Sequence, residues 1–235
     1  MANTLQTSIN WALGFLGYST PTVGPNNEPA LSSANMVQQV MTSPPFRFPW
    51  NRSTGTFTCV AGTQDYTVSL SDFGYLETAT VKDPVTNATK PLKVLNTTPI
   101  GDSIDQQLPT TITVQTSVPG TSASFRLLGV PDKAYVVKLI YQKFAPLMSG
   151  TSSAWTPPDY MSYIYNRGFL AHCLEGMNSS RAPQEKVAFA AALLATAEGL
   201  TDTEINIFLA QYLGNPRAFE SMQLKTQQGV MARGQ

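Results

Sequence analysis

Residues 56–70 read TFTCVAGTQDYTVSL, and this stretch decides the class of fold. Polar side chains alternate with apolar or aromatic ones in 56–60 and again in 66–70, as in strands that bury one face. Gly62 interrupts the alternation at a point where a turn is expected. The stretch therefore predicts two consecutive β-strands.

Further strands are predicted downstream at similar spacing. Turn signals such as Asp83-Pro84 and Pro119-Gly120 separate the candidate segments. Short strands at this spacing, with no helical period between them, predict an antiparallel sandwich or barrel over residues 54–147. The remaining strand candidates are 76–81, 91–95, 111–115, 124–128 and 135–144.

Helical patterns flank the β block on both sides. Thr201 and Glu204 have the spacing of a capping box ahead of an apolar stripe. Thr156 is a candidate cap for the first helix after the β block, and Gly199 a candidate stop for the second. The apolar side of that first helix should include Tyr163 and Met177. The predicted helices are 4–17, 29–42, 157–177, 183–198 and 201–213.

Helices, then strands, then helices predict an α+β fold. The simplest architecture is a helical bundle with an inserted antiparallel β-sandwich or barrel. The first and last parts of the chain would share the bundle. The predicted segments are 1–53 for the N-terminal helices, 54–147 for the β domain, 148–213 for the C-terminal helices and 214–235 for a C-terminal arm.

The composition is low in charge. Charged residues make up 13% of the chain, about half the usual share of roughly 25%. An uncharged polar surface repels itself weakly, which suits a surface that packs against neighbours. Lys and Arg number 15 and Asp and Glu number 15, so no overall field attracts nucleic acid or an anionic membrane. No secretory leader and no membrane-spanning run is evident, so we expect a protein used in solution, in a reducing compartment or in a particle assembled there.

Candidate catalytic residues are few. The only histidine, His172, precedes Cys173 on a predicted helix, where adjacent side chains point about 100° apart and do not face each other. One histidine with two distant cysteines supplies no metal site, and no phosphate-binding loop or nucleophile elbow occurs. Both cysteines are expected to be free thiols, and we predict no enzyme activity and no cofactor. Four aspartates lie beside predicted turns, where Asp commonly caps its own backbone: Asp65, Asp72, Asp102 and Asp105. The alternative is that two of them form the catalytic carboxylate pair of a glycosidase.

The segment FRFPWNR at residues 46–52 admits two interpretations. Phe46, Phe48 and Trp50 could stack on bases or another ligand, with arginines beside them. The alternative, which we favour, is a hydrophobic plug at the junction between helices and β block.

Charge is unevenly distributed near the C-terminus. Residues 151–213 hold six acidic and three basic side chains, whereas residues 214–235 hold three basic and one acidic. One interpretation is simply a solvated helix face followed by a disordered end. The functional interpretation is an arm that docks on a neighbouring subunit, with apolar anchors doing most of the binding. The candidate docking residues are Arg217, Phe219, Met222, Leu224, Lys225, Val230, Met231 and Arg233.

The order of these features resembles the head-to-tail adaptor (connector or neck) proteins of tailed bacteriophages. The aromatic stretch 46–52 precedes the run from Thr56 to Tyr66, which is similar to the family's T-x-A-G-x-x-x-Y opening strand pair. The turn at 70–73 (LSDF) is similar to its L-P-x-D-F phrase, and Pro157-Pro158-Asp159-Tyr160 is similar to its helix opening. The resemblance covers roughly residues 46–213. The chain departs from the family at 161–163, where an Ala-rich run is usual, and in a longer, Thr-rich β block.

The resemblance implies a non-enzymatic structural protein of the virion. It implies a homo-oligomeric ring, twelvefold, seated beneath the portal protein and joined below to a tail or nozzle protein. DNA would pass through the ring, no membrane would be involved, and assembly would take place in the host cytoplasm. The alternative function is a carbohydrate- or ligand-binding β module with a helical stalk, such as part of a receptor-binding protein.

Overall fold

A computed structural model of the chain describes residues 3–17, 28–95, 106–118 and 120–214. The described part contains five α-helices and seven β-strands, so the fold class is α+β. The helices are α1 (Leu5–Leu16), α2 (Ala30–Thr42), α3 (Ser162–Gly176), α4 (Ala182–Thr196) and α5 (Asp202–Leu213). The strands are β1 (Arg52–Thr58), β2 (Asp65–Val68), β3 (Phe73–Lys82), β4 (Thr89–Leu95), β5 (Thr111–Val118), β6 (Ser122–Leu128) and β7 (Val136–Lys143).

The chain divides into two compact units. The helical unit comprises residues 1–41 and 146–235, and the β unit comprises residues 42–145. The β unit is therefore continuous in sequence, whereas the helical unit is assembled from both ends of the chain.

The seven strands form one barrel-like sheet in the order β1-β7-β3-β4-β5-β6-β2. All pairs are antiparallel except β4 with β5, which run parallel from Lys93 opposite Thr111. This pair corrects the expectation of a wholly antiparallel block. Parallel neighbours need a long connection, and residues 96–110 supply one between these two strands.

Alternation along the strands produces the core of the β unit. In β7, Val137, Leu139 and Tyr141 are buried while the residues between them face outward. Across the sheet, Leu139 lies opposite Ala79 of β3, and both face the same interior. Buried apolar residues from β3 to β7 complete the core, including Phe73, Leu92, Ile112, Phe125 and Leu127.

Capping residues mark both ends of helices α1 and α5. Thr201 and Glu204 form the predicted capping box at α5, and Thr4 with Thr7 forms a second one at α1. Gly17 and Gly214 end these two helices in the left-handed region, at φ of 80° and 69°, where glycine carries no Cβ penalty.

Two predicted boundaries were wrong. Thr156 does not cap a helix, because a short 3₁₀ turn at Asp159–Met161 comes first and α3 begins only at Ser162. Helix α4 ends at Thr196 with an extended cap residue, so Gly199 lies beyond its end.

The helical unit is tied together by buried aromatic and polar contacts. The indole of Trp155 stacks on Tyr165 of α3 at 4.5 Å between ring centroids. Its Nε1 donates to Ser8 Oγ of α1 at 2.9 Å, and that hydroxyl donates to Asn166 of α3 at 2.6 Å. Trp155 thus joins α1 to α3, and the ring of Phe189 of α4 packs directly over Gly168 of α3.

Candidate interaction surfaces

The one histidine is a packing residue that links three helices. His172 is 6% exposed. Its Nδ1 lies 3.1 Å from Glu175 Oε2, and its Nε2 lies 3.0 Å from the hydroxyl of Tyr212 on α5. Lys186 of α4 donates to the other oxygen of Glu175 at 2.9 Å. Burial lowers the pKa of His172 because it disfavours the charged form.

Cys173 points away from this network. Its side chain is hydrogen-bonded to Ser33 of α2, and burial raises its thiol pKa to about 11. His172 and Cys173 therefore contact different helices, as their adjacent helical positions predict. Both cysteines are free, which confirms the prediction of no disulfide between them, and burial raises the pKa of Cys59 to about 11 as well.

The aromatic segment before β1 is packed inward. Phe46 and Phe48 are 1% and 3% exposed, and the three aromatic rings stack in sequence at 6.1 and 5.5 Å. The Tyr75 hydroxyl donates to the carbonyl of Phe46, and the Phe48 N–H donates to Gln142 Oε1. Neither phenylalanine has a face free for a base or a sugar, so these contacts favour the packing interpretation over ligand stacking.

Within the stretches that resemble the adaptor proteins, three side chains make hydrogen bonds to residues outside their own helix or strand. The Tyr66 hydroxyl donates to the carbonyl of Thr63 at 2.6 Å and also contacts the backbone of Val60, which closes the loop between β1 and β2. Asp72, in the turn before β3, accepts a hydrogen bond from the Tyr141 hydroxyl at 2.6 Å. Asp159, ahead of α3, accepts two from Asn3, through the backbone and the side chain.

An exposed aromatic–arginine patch covers one side of the helical unit. Phe15 and Tyr163 are 44% and 59% exposed. The guanidinium of Arg167 lies over both rings, 5.2 and 5.5 Å from their centroids, and Arg181 lies 5.8 Å from the ring of Phe15. Trp11 stacks on Phe15 at 5.4 Å. Aromatic and arginine side chains are the types enriched at the energetic centres of protein interfaces.

The patch was not predicted from the sequence, although a signal was present. Trp11 and Phe15 are four residues apart on α1, and lie outside the apolar stripe that enters the core. Tyr163 was assigned to the buried side of α3, which is wrong, as is the same assignment for Met177, which is 57% exposed. The buried face of α3 begins at Ile164, about 100° around the helix from Tyr163, and Met177 is the cap residue beyond the last turn.

A second surface is the outer face of the sheet formed by β1, β7, β3 and β4, which we call the threonine–lysine face. Two rows of directly opposed residues cross all four strands. One row is Thr56, Lys138, Thr80 and Pro91, and the other is Thr58, Val136, Lys82 and Thr89. All its members are exposed or half-buried, and none is acidic. They are Thr54, Thr56, Thr58, Val136, Lys138, Ile140, Thr78, Thr80, Lys82, Thr89, Pro91 and Lys93.

Described residues of the helical unit line an apolar hollow and an open groove. The hollow has a volume of about 120 Å³ and is lined by α1, α3 and the start of α2, with Phe169 among its walls. Ligand pockets usually measure ~300–1,000 Å³, so this hollow is small. The groove has a volume of about 450 Å³ and is bordered by Lys186 of α4 and Leu213 of α5.

Several expected features fall outside the structure or find no counterpart in it. All eight candidate docking residues of the arm, from Arg217 to Arg233, lie outside the described residues, as do Asp102 and Asp105. Within the described ranges, no group of three or more metal-ligating side chains could hold an ion. None of the helices there is long and apolar enough to cross a membrane.

Comparison with protein-family models found no match to this chain, and comparison with curated proteins found none either.

Proposed function

We propose that the chain is a structural subunit of a tailed bacteriophage, forming a twelvefold ring beneath the portal. The ring would join capsid to tail and let DNA pass through its lumen. In this proposal the five helices form one bundle into which the β unit is inserted. The partners are further copies of the chain, the portal protein and a downstream tail or nozzle protein. The site of action is the head–tail junction of the virion, after assembly in the host cytoplasm.

The observation that carries the proposal is the role of the residues behind the adaptor resemblance. Tyr66 and Asp72 each make a part-buried hydrogen bond that fixes a loop or a turn. Residues with such roles are expected to recur with the fold they stabilise, because removing one partner of such a hydrogen bond destabilises that fold. The shared phrases therefore support a shared architecture rather than chance agreement of short motifs.

Surface chemistry supports an assembly role. The aromatic–arginine patch exposes Phe15 and Tyr163 to solvent in the single chain. Large exposed apolar groups that cluster are characteristic of interfaces. The proposed role requires no catalytic step and no cofactor.

No observation favours the alternative of a carbohydrate-binding β module. Such sites stack sugars on exposed aromatic rings. In the part of the β unit that the structure describes, every Phe, Tyr and Trp is buried or half-buried. Phe57 and Tyr66, for example, pack against each other and against the core, with ring centroids 4.8 Å apart.

The test is assembly with a portal. The full-length chain, alone and mixed with purified portal rings, should form rings visible by negative-stain electron microscopy, with a twelve-subunit mass by mass photometry. Phe15→Ser combined with Tyr163→Ser should reduce assembly. The matched control is Met36→Ser, because Met36 is equally exposed at 50% but lies on α2 outside the patch. A chain that stays monomeric with and without portal would refute the proposal.

Two further measurements bear on the same proposal. Deleting residues 215–235 should leave the melting temperature unchanged while portal attachment is lost. Truncated subunits that attach normally would refute the docking role of the arm. DNA should bind only weakly, because the chain has no net charge and each released counterion requires a phosphate-neutralising Lys or Arg. Nanomolar binding of duplex DNA at physiological salt would contradict passive passage through the lumen.

A further inference from the structure

The two units carry opposite charge. The sequence of the β unit contains nine basic and seven acidic side chains, a balance of +2. That of the helical unit contains six basic and eight acidic, a balance of −2. The chain is neutral, but its positive and negative charges are partly separated between the two units. The β unit of one copy can therefore attract the helical unit of another copy.

The positive charge of the β unit is concentrated on the threonine–lysine face. Lys82, Lys93 and Lys138 are exposed there and form no ion pair within the described residues. At one end of the face Arg52 pairs with Glu77, and those two charges cancel. The three lysines therefore leave the face with a net positive charge in the isolated chain.

The rest of that face is suited to contact with protein. Its other members are threonines with one valine, one isoleucine and one proline, and Val136 is 37% exposed. Short β-branched side chains and proline lose little conformational entropy when they are covered. The twelve members of the face include no aromatic and no arginine side chain, and Arg52 at its end is held by Glu77. Aromatic and arginine side chains are the groups that stack on bases and bind phosphates in nucleic-acid sites. These features favour a protein partner over a polyanion.

Among the described residues of the helical unit, only some acidic side chains are exposed and without an ion pair, and so can contact a partner. Glu185 is buried and paired with Arg167, and Glu175 is bound by Lys186 and His172. By contrast, Glu198 and Asp202 are exposed beside the connection from α4 to α5, and form no ion pair within the described residues. Glu204, in the first turn of α5, is half-buried, and its Oε2 accepts hydrogen bonds from Thr201 in the capping box, so it is not available in the same way. We call Glu198 and Asp202 the α4–α5 corner.

We propose that the threonine–lysine face of one copy docks on the α4–α5 corner of a second copy. Three exposed lysines then meet two exposed carboxylates, and the sheet face covers the corner. The contact joins two different surfaces, so it is head-to-tail, and such contacts close into rings when the rotation permits. The inference rests on the proposed ring and names the surfaces that build it.

Charge reversal tests the contact in the full-length chain. Variant A carries Lys82→Glu, Lys93→Glu and Lys138→Glu, and variant B carries Glu198→Lys and Asp202→Lys. Each should weaken self-association by about tenfold or more in sedimentation velocity, since several exposed charge pairs become repulsive at once. The matched control is Lys90→Glu, because Lys90 is an exposed β4 lysine opposite the buried Val81 and not a member of the face.

Mixing the two variants supplies the decisive measurement. The face of variant A is acidic and meets the basic corner of variant B, while the face of B stays basic and meets the acidic corner of A. An equimolar mixture should therefore regain wild-type association with the two variants alternating, although each is defective alone. Circular dichroism of A and B verifies folding, and restored assembly in the mixture itself excludes misfolding as the cause of the defect.

The outcomes separate the inference from the proposed function. Wild-type rings that variant A also forms would overturn the docking contact and leave the ring standing. Wild-type pairs or filaments lost in A and B and restored in the mixture would support the contact and refute the ring. Binding of a 20-base-pair DNA duplex that is lost in A, with assembly unchanged, would assign the face to a polyanion instead. A wild-type chain that never associates would overturn both.

Discussion

Replacing Gly168 by alanine should destabilise the helical unit, although alanine favours helix more than glycine does. Gly168 is buried in α3 against α4. A Cβ added there would lie 2.7 Å from Cε2 and 2.9 Å from Cδ2 of the Phe189 ring. Real Cβ atoms do not approach ring atoms that closely, so α3 and α4 must separate or the ring must turn. Phe189 is fully buried, and a close-packed interior leaves it no space to turn into.

The magnitude follows from two opposing effects. Overpacking a core typically costs about 1–3 kcal/mol, and the exchange of glycine for alanine inside a helix returns about 1 kcal/mol. A rigid ring cannot yield as a flexible side chain can, so the steric cost should lie high in its range. We expect a net loss of about 1–2 kcal/mol in the free energy of unfolding.

Gly14 provides the matched control. It lies in α1, and a Cβ added there would meet nothing within 4 Å. Gly14→Ala keeps the helix-propensity gain without the clash, so it should stabilise the protein by about 0.5–1 kcal/mol. The two substitutions are chemically identical and should have opposite signs.

The assay is equilibrium urea unfolding followed by circular dichroism at 222 nm, where the helices dominate the signal. A double-mutant cycle with Phe189→Leu isolates the clash, since Gly168→Ala should cost less when the ring is absent. Gly168→Ala that is as stable as the wild type would refute the steric reasoning. So would a loss that is the same with and without the Phe189 ring.

Three further predictions follow from buried groups. The melting temperature should fall as pH drops from 7 to 5.5, because burial lowers the pKa of His172 and the unfolded state binds the proton more readily below pH ~6.5; His172→Gln should flatten this dependence in calorimetry. Arg167→Met should cost about 1–2 kcal/mol in urea unfolding, because the buried Glu185 carboxylate loses its partner at 2.5 Å and keeps Arg181 at 3.8 Å, and adding Glu185→Gln should recover part of it. Iodoacetamide at pH 8 should modify neither Cys59 nor Cys173 in the native chain, since both thiol pKa values are raised to about 11; rapid labelling seen by mass spectrometry would contradict the burial.

Local patterns were sufficient for the secondary structure. Alternation in 56–60 and 66–70 predicted β1 and β2, and the Thr201–Glu204 capping box predicted the start of α5. All five helices and all seven strands of the described residues were expected near their observed positions. These signals succeed because side-chain period and helix capping act between residues close in the chain.

Candidate surfaces were harder to predict. Tyr163 is apolar enough for a core but lies exposed under Arg167, because the choice between Tyr163 and Ile164 for the buried side depends on where α1 and α4 pack. The threonine–lysine face likewise needs the register of four strands. Its lysines are on three strands, and the pairings of Lys138 with Thr80 and of Thr80 with Pro91 place them on one surface.

The sequence by itself determined that this protein is α+β, that its β-strands are continuous between two sets of helices, and that its two cysteines stay free. Each of these depends on local periodicity, turn chemistry or composition. The tertiary structure alone decided that β4 and β5 run parallel, that His172 joins Glu175 to Tyr212, and that three lysines share one uncovered sheet face. Those arrangements join residues far apart in the chain, and strand order and helix packing, which bring them together, follow from the shape of the whole core and not from any local pattern.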